Sequence, residues 1–180
     1  MITYTGIGSR KISSKESEII LTISKSLSEK GLIVLSGNAE GSDITFQEGS
    51  RGKCVIMLPW EGFNQKKYDY TNSLDHYIID PRKDKSAKNS VNEFHPNPKS
   101  LNKYGKLFMI RNYYQIHGVY NYPRSSFVVC CSDEENGEVR GGTGQAVRIA
   151  NHLKIAVINI RRTNWKQEFL KVLGNFESII

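Results

Sequence analysis

Short apolar runs that end in a glycine- or proline-bearing turn and then give way to a helix-patterned segment recur along this chain. No other feature narrows the fold as far. Ile2-Thr3-Tyr4-Thr5 runs into Gly6-Ile7-Gly8-Ser9-Arg10, and Leu32-Ile33-Val34-Leu35-Ser36 into Gly37-Asn38-Ala39-Glu40-Gly41-Ser42-Asp43. Cys54-Val55-Ile56-Met57-Leu58 stops at Pro59-Trp60, and Ser126-Phe127-Val128-Val129-Cys130-Cys131 leads on to Arg140-Gly141-Gly142-Thr143-Gly144-Gln145. Unbroken apolar runs of this length belong to strands buried on both faces, as in parallel sheets. The segments between them carry helix signals. Ser13 and Glu16 have capping-box spacing, Ile19, Ile20, Ile23 and Leu27 form one stripe, and Gly31 closes the helix. A helix from about 100 to 117, a further strand at Ile155 to Ile160 and a last helix with Trp165, Phe169, Leu170 and Leu173 complete the pattern. Alternating strand and helix imply an α/β chain with a parallel sheet of about five strands and helices on both faces.

One stretch departs from this rhythm. From Glu61 to about Ser100 the periodicity is lost, through a Lys- and Tyr-rich run at 66–70, an Asp, Asn, Ser and Lys run from Asp84 to Asn92, and His95-Pro96-Asn97-Pro98. Residues 61–100 therefore read as an irregular insertion after strand three, of the kind that forms a lid or a partner surface. Tyr77-Ile78-Ile79 suits a brief edge strand. With no linker or internal repeat, residues 1–180 read as one domain.

At 180 residues a chain buries most of its apolar surface without disulfides. Its three cysteines, Cys54, Cys130 and Cys131, lie inside apolar runs, which suits buried free thiols in a reducing, cytoplasmic setting. No apolar run is long enough to span a membrane. The net charge of +7 favours anionic partners, and much of it lies between Arg82 and Lys106. A solvated basic face would give the same composition.

In an open parallel sheet the ligand crevice lies outside the carboxyl ends of the strands. Four turns far apart in sequence should meet there: Gly6, Gly8, Ser9 and Arg10; Ser36, Gly37 and Asn38; Pro59-Trp60; and Gly141, Gly142, Thr143, Gly144 and Gln145. Three glycines within 141–144 leave bare N–H groups at the positive end of a helix dipole, a ready anion site. The alternative is a turn that only lets a helix pack closely on a strand. The spacing matches neither the dinucleotide fingerprint nor the P-loop. Arg111, beside Asn112, offers a bidentate phosphate fork. Asp43 and Glu48 are the candidate catalytic carboxylates, to activate water or steady a developing charge on a sugar. An Asp in a Gly-Ser-Asp turn also fits a helix cap, and Glu48 an exposed helix position. Trp60 suits either stacking on a base or packing under the insertion. Tyr113, Tyr114, Tyr120 and Tyr122 crowd near Arg111 and Arg124, a mixture that suits nucleic acid, although helical spacing makes Tyr114 a core residue. His76, His95, His117 and His152 have no ligand-like spacing, so neither metal nor cofactor is expected.

These residues carry a resemblance. Thr5-Gly6-Ile7-Gly8-Ser9-Arg10, Leu35 to Asp43 and the following Phe46 resemble the front half of the Rossmann-like domain of DNA-processing protein A. Met109-Ile110-Arg111-Asn112, a strand, and Gly141-Gly142-Thr143-Gly144 resemble the lysine decarboxylase-like, or LOG, branch of the same SLOG superfamily. The resemblance spans the chain outside 61–100 and implies a Rossmann-like fold. The LOG branch implies a phosphoribohydrolase that cleaves the N-glycosidic bond of a nucleoside monophosphate. The DNA-processing A group implies single-stranded DNA binding. Where the LOG pattern has Thr-x-x-Glu, this chain has Gln145-Ala146-Val147-Arg148, and Asn112 replaces the lysine beside the arginine. The carboxylate implicated in hydrolysis is thus missing at its usual place.

The first expectation is a protein that binds a nucleotide or nucleotide-derived small molecule, with hydrolysis of its N-glycosidic bond open. The alternatives are a non-catalytic sensor or sequestering protein for a signalling nucleotide, and a single-stranded DNA-binding protein. Crevices in this superfamily are often completed by a neighbouring subunit, so a homo-oligomer is expected, with no membrane partner.

Overall fold

The computed structural model, which describes residues 1–65 and 72–175, gathers the apolar runs into one parallel sheet of six strands. They are β1 (Thr3–Gly8), β2 (Ile33–Ser36), β3 (Cys54–Leu58), β4 (Asp75–Ile78), β5 (Phe127–Cys131) and, after a small antiparallel hairpin of β6 (Glu134–Glu135) and β7 (Glu138–Val139), β8 (Ala156–Asn159). The order across the sheet is β4-β3-β2-β1-β5-β8. Thr5 of the central β1 lies beside Leu35 on one side and Val128 on the other.

Successive strand residues point to opposite faces, so each apolar run feeds two cores. Tyr4, Val34, Ile56, Phe127 and Val129 bury one face against α1 (Ser14–Glu29), α2 (Ser42–Ser50) and α6 (Trp165–Gly174). Leu35, Val55, Met57, Val128 and Cys130 bury the other against α3 (Lys85–Phe94), α4 (Lys103–His117) and α5 (Gly141–His152). Leu27, Phe46 and Phe127 are wholly buried, and each such side chain contributes about 1.5–3 kcal/mol. Helix α1 starts where its capping box predicts: Ser13 Oγ accepts from Glu16 N at 3.2 Å, and Glu16 Oε2 accepts from Ser13 N at 2.7 Å. The three cysteines are buried and free. Among the described residues no helix is long and apolar enough to cross a membrane.

Three expectations change. The sheet has six strands, not about five, and the stretch 61–100 is not irregular: it supplies β4 and α3. Edge strand β4 is mostly exposed and so lacks an apolar run, although Tyr77 and Ile78 fall in it as read. The run at 66–70 lies outside the described residues. Gly6 belongs to the interior of β1, not to a turn. A Cβ there would stand 2.5 Å from Phe46 Cγ and 2.8 Å from Val34 Cγ2, so this glycine serves packing between sheet and α2.

The chain winds outward from β1 through β2 and β3 to β4, then returns to place β5 on the other flank of β1. That reversal opens a crevice above the carboxyl ends of β1 and β5.

Candidate functional site

A cleft of about 400 Å³ occupies that crevice. Gly8, Ser9 and Arg10 enter it from the end of β1, Ala39 and Asp43 from the turn and helix after β2, and Ser132 and Asp133 from the end of β5. Phe108, Met109, Arg111 and Asn112 come from α4, and Arg140 to Thr143 from the start of α5.

The start of α5 is its anion-binding side. Arg140 holds the N-cap position in extended conformation, and no side chain caps the helix. The first N–H groups of a helix have no intrahelical partner, so Gly141, Gly142 and Thr143 present donors to the cleft they line. Gly141 has φ 67°, in the left-handed region that favours glycine. A Cβ on Gly142 would meet only the mobile end of Met109, at 3.1 Å. Gly144 is different: its Cβ would run into the carbonyl oxygen of Val139, so it lets the β6–β7 hairpin lie against α5.

Opposite stands a buried ion pair. Arg111 Nη1 donates to the Gly37 carbonyl at 2.6 Å and to Asp43 Oδ2 at 3.4 Å, and its Nε donates to Asn112 Oδ1 at 3.2 Å. Asn112 Nδ2 in turn donates to the Gly142 carbonyl at 2.9 Å. One chain of bonds thus runs from the turn after β2, through α4, to the start of α5. Burial raises the Asp43 carboxyl above the usual carboxylate range, against the pull of Arg111 and of the Ala39, Gly37 and Gly8 amides. Burial likewise lowers the Arg111 guanidinium, an effect that Asp43 offsets. Asp43 does not cap α2. Gly41 holds that position, and the Asp43 carboxylate turns back to accept from Ala39 N at 3.4 Å.

The far wall is braced by charge. Arg161 donates to Asp133 Oδ1 at 2.8 Å and to Glu16 Oε1 at 2.6 Å, which ties the loop after β5 to the first turn of α1. Asn159 holds Ser132 on both sides, accepting from its N–H at 3.2 Å and donating to its carbonyl at 2.7 Å.

Of the residues read from the sequence, Gly8, Ser9, Arg10, Asp43, Arg111, Asn112, Gly141, Gly142 and Thr143 meet at the cleft. The others do not line it. Ser36 is buried and donates to the Asp43 carbonyl at 3.1 Å. Gly37 gives its carbonyl to Arg111, where an added Cβ would strike the guanidinium. Asn38, with φ 57°, donates to the Phe63 carbonyl at 3.0 Å. Trp60 packs edge-on against Phe63, Tyr104 and Phe108, with ring centroids 5.0–5.4 Å apart, and so follows its core reading. Gln145 is sealed in the interior with neither side-chain polar atom bonded. Glu48 is exposed on α2, in a separate shallow depression beside Ser13 and Ser17, because its helical position turns it away from the sheet edge. It is withdrawn as a catalytic candidate.

Phe108 was missed. It lies one turn before Arg111 on α4, and the guanidinium carbons of Arg10 and Arg111 sit 5.3 and 5.7 Å from its ring centre. Its spacing from Arg111 is the signal that could have found it. Asp133 was also missed, although it immediately follows the β5 run.

Comparison with solved structures places this geometry. DNA processing protein A from Helicobacter pylori, whose structure concerns its single-stranded DNA binding mode, superposes with a TM-score of 0.62 over 99% of this chain and 80% of that one, at 16% identity. The fold is that of DNA processing protein A. The Streptococcus pneumoniae DNA processing protein A agrees, with a TM-score of 0.51 over 97% of this chain and 56% of that one at 14% identity. The structural-genomics target TM1055 gives 0.53 over 91% and 76% at 20% identity. No protein-family profile and no curated protein matches the chain. In this DNA processing A-type fold, of the SLOG kind, the cleft occupies the switch point of the sheet.

Proposed function

We propose that the cleft binds a nucleotide or nucleotide-derived metabolite, its phosphate held by the start of α5 and by Arg111. The observation that carries this reading is an uncapped helix N-terminus opening on the same cleft as a buried arginine. Helix dipole, bare amides and guanidinium all favour one anion there. Arg10 adds positive charge at the rim, and the Phe108 ring offers a base the flat partner that Trp60 was expected to give. Asp43 is the candidate for chemistry at the floor. Hydrolysis would add one water across the N-glycosidic bond, the sugar carbon gaining the hydroxyl and the base the proton. The ion pair that holds Asp43 supports equally a sensor or sequestering protein that leaves its ligand intact.

Native mass spectrometry followed by denaturation, with calorimetry against nucleoside mono- and diphosphates, tests the proposal. We expect a bound phosphorylated nucleoside, a homo-oligomeric mass, and loss of binding in Gly142→Glu, which sets a carboxylate where the phosphate would lie. Free base released by the wild type but not by Asp43→Asn would assign hydrolysis. Intact ligand only would assign sensing. No nucleotide binding at all would sink the reading.

A second reading is single-stranded DNA binding, favoured by the fold shared with the Helicobacter pylori protein and by the net charge of +7. It requires oligonucleotide affinity that falls steeply with salt, and flat salt dependence would remove it.

A further inference from the structure

Helix α4 has two working faces. Phe108, Arg111 and Asn112 face the cleft, whereas Lys103, Lys106 and Leu107 turn the other way, toward α3. There a half-open groove of about 530 Å³ runs between the two helices, and nothing in the nucleotide reading uses it. Its floor is apolar, made by Val91 and Leu107 with their neighbours. Four cations rim it: Arg82, Lys88, Lys103 and Lys106. Arg82 is paired with Asp80 at 3.0 Å, but no described ion pair engages any of the three lysines.

The lysines also stand where a helix disfavours them. Lys85 and Lys88 in α3, and Lys103 and Lys106 in α4, fall in first turns that contain no carboxylate. Positive side chains there oppose the helix dipole. Folding alone would put acids at these positions. The arrangement instead adds side-chain charge to helix-end charge along one apolar groove.

We propose that this groove docks an acidic segment of a partner protein, one that seats apolar side chains on the floor and carboxylates against the lysine rim. Charge complementarity supplies the argument for that occupant. A nucleic-acid strand suits the groove less, since none of its nine lining residues is aromatic and bases would find no stacking surface. A second copy of the chain suits it less as well. The most acidic exposed element is the β6–β7 hairpin, and its carboxylates are already engaged: Glu134 with Arg162 at 2.9 Å, Glu135 with Arg140 at 2.9 Å, and Glu138 with Arg148 at 3.8 Å.

The test is selection of a displayed library of random twelve-residue peptides against the full chain, with the winners measured by fluorescence anisotropy. Winners should combine Asp or Glu with apolar anchors and weaken as salt rises. They should lose at least about tenfold in affinity for Lys103→Glu/Lys106→Glu. That variant should melt no lower than the wild type, because its new carboxylates suit the helix start. Leu107→Ser should weaken the same peptides. Winners without acidic residues, or winners that bind the charge-reversed protein equally well, would overturn the proposal. So would a groove that takes only oligonucleotide, or self-association that Lys103→Glu/Lys106→Glu abolishes.

Discussion

A glycine looks the same in a sequence whether it makes room for a ligand or for a neighbouring side chain, and Gly6 and Gly142 separate the two cases. At Gly6 a methyl group would press on Phe46 and Val34, which sit in a filled core. At Gly142 it would touch only the flexible tip of Met109. Gly6→Ala should therefore cost about 1–3 kcal/mol in urea unfolding, the usual range for overpacking, while the folded fraction keeps its nucleotide affinity. Gly142→Ala should leave the urea midpoint close to wild type. Equal midpoints for the two variants would contradict these packing assignments. The same ambiguity explains why Gly37, Gly144 and Gln145 could be read as ligand contacts. Their spacing marks the turns correctly, but only three-dimensional neighbours show that Gly37 serves Arg111 and Gly144 serves Val139.

Among elements, the tie between α1 and the end of β8 depends on pH. Glu16 both closes the capping box of α1 and accepts from Arg161, and these bonds, the Arg161 bond foremost, hold its carboxyl down at about 2 from an ordinary 4.5. A carboxylate whose pKa is lower in the folded state stabilises the fold above its unfolded pKa, and the benefit fades as pH falls toward the folded value. Melting temperature should thus decline between about pH 4.5 and pH 2 by more in the wild type than in Glu16→Gln. Parallel declines would show that Glu16 contributes nothing to acid sensitivity. The capping box was legible because its two residues sit three apart, as were β2, β3 and β5 because they are unbroken apolar runs. Strand β4 left a weaker trace: Asp75, His76 and Ile78 are exposed, so pairing with β3 and not burial defines it. The Arg161 bridge left none, since its partners Glu16 and Asp133 lie far away in the chain.

For the whole molecule, the thiols report how tightly the sheet is closed. Cys130 and Cys131 are neighbours on β5 but face opposite cores, and burial pushes both thiols up to about 12. Native protein should react negligibly with a thiol reagent at pH 8, and denatured protein should yield all three groups. Rapid native labelling of any of them would mean that the sheet opens locally. The position of β1 carries a further consequence, for the order of assembly. Synthesis makes β1 first, and β2 flanks it early, yet Thr5 must wait for Ser125, 120 positions on, before its second flank is closed. Contacts that distant are slow to form. The crevice has no second wall until they do, so a growing or truncated chain that lacks β5 carries half of every contact and no binding site, and ligand capture marks the moment at which folding ends.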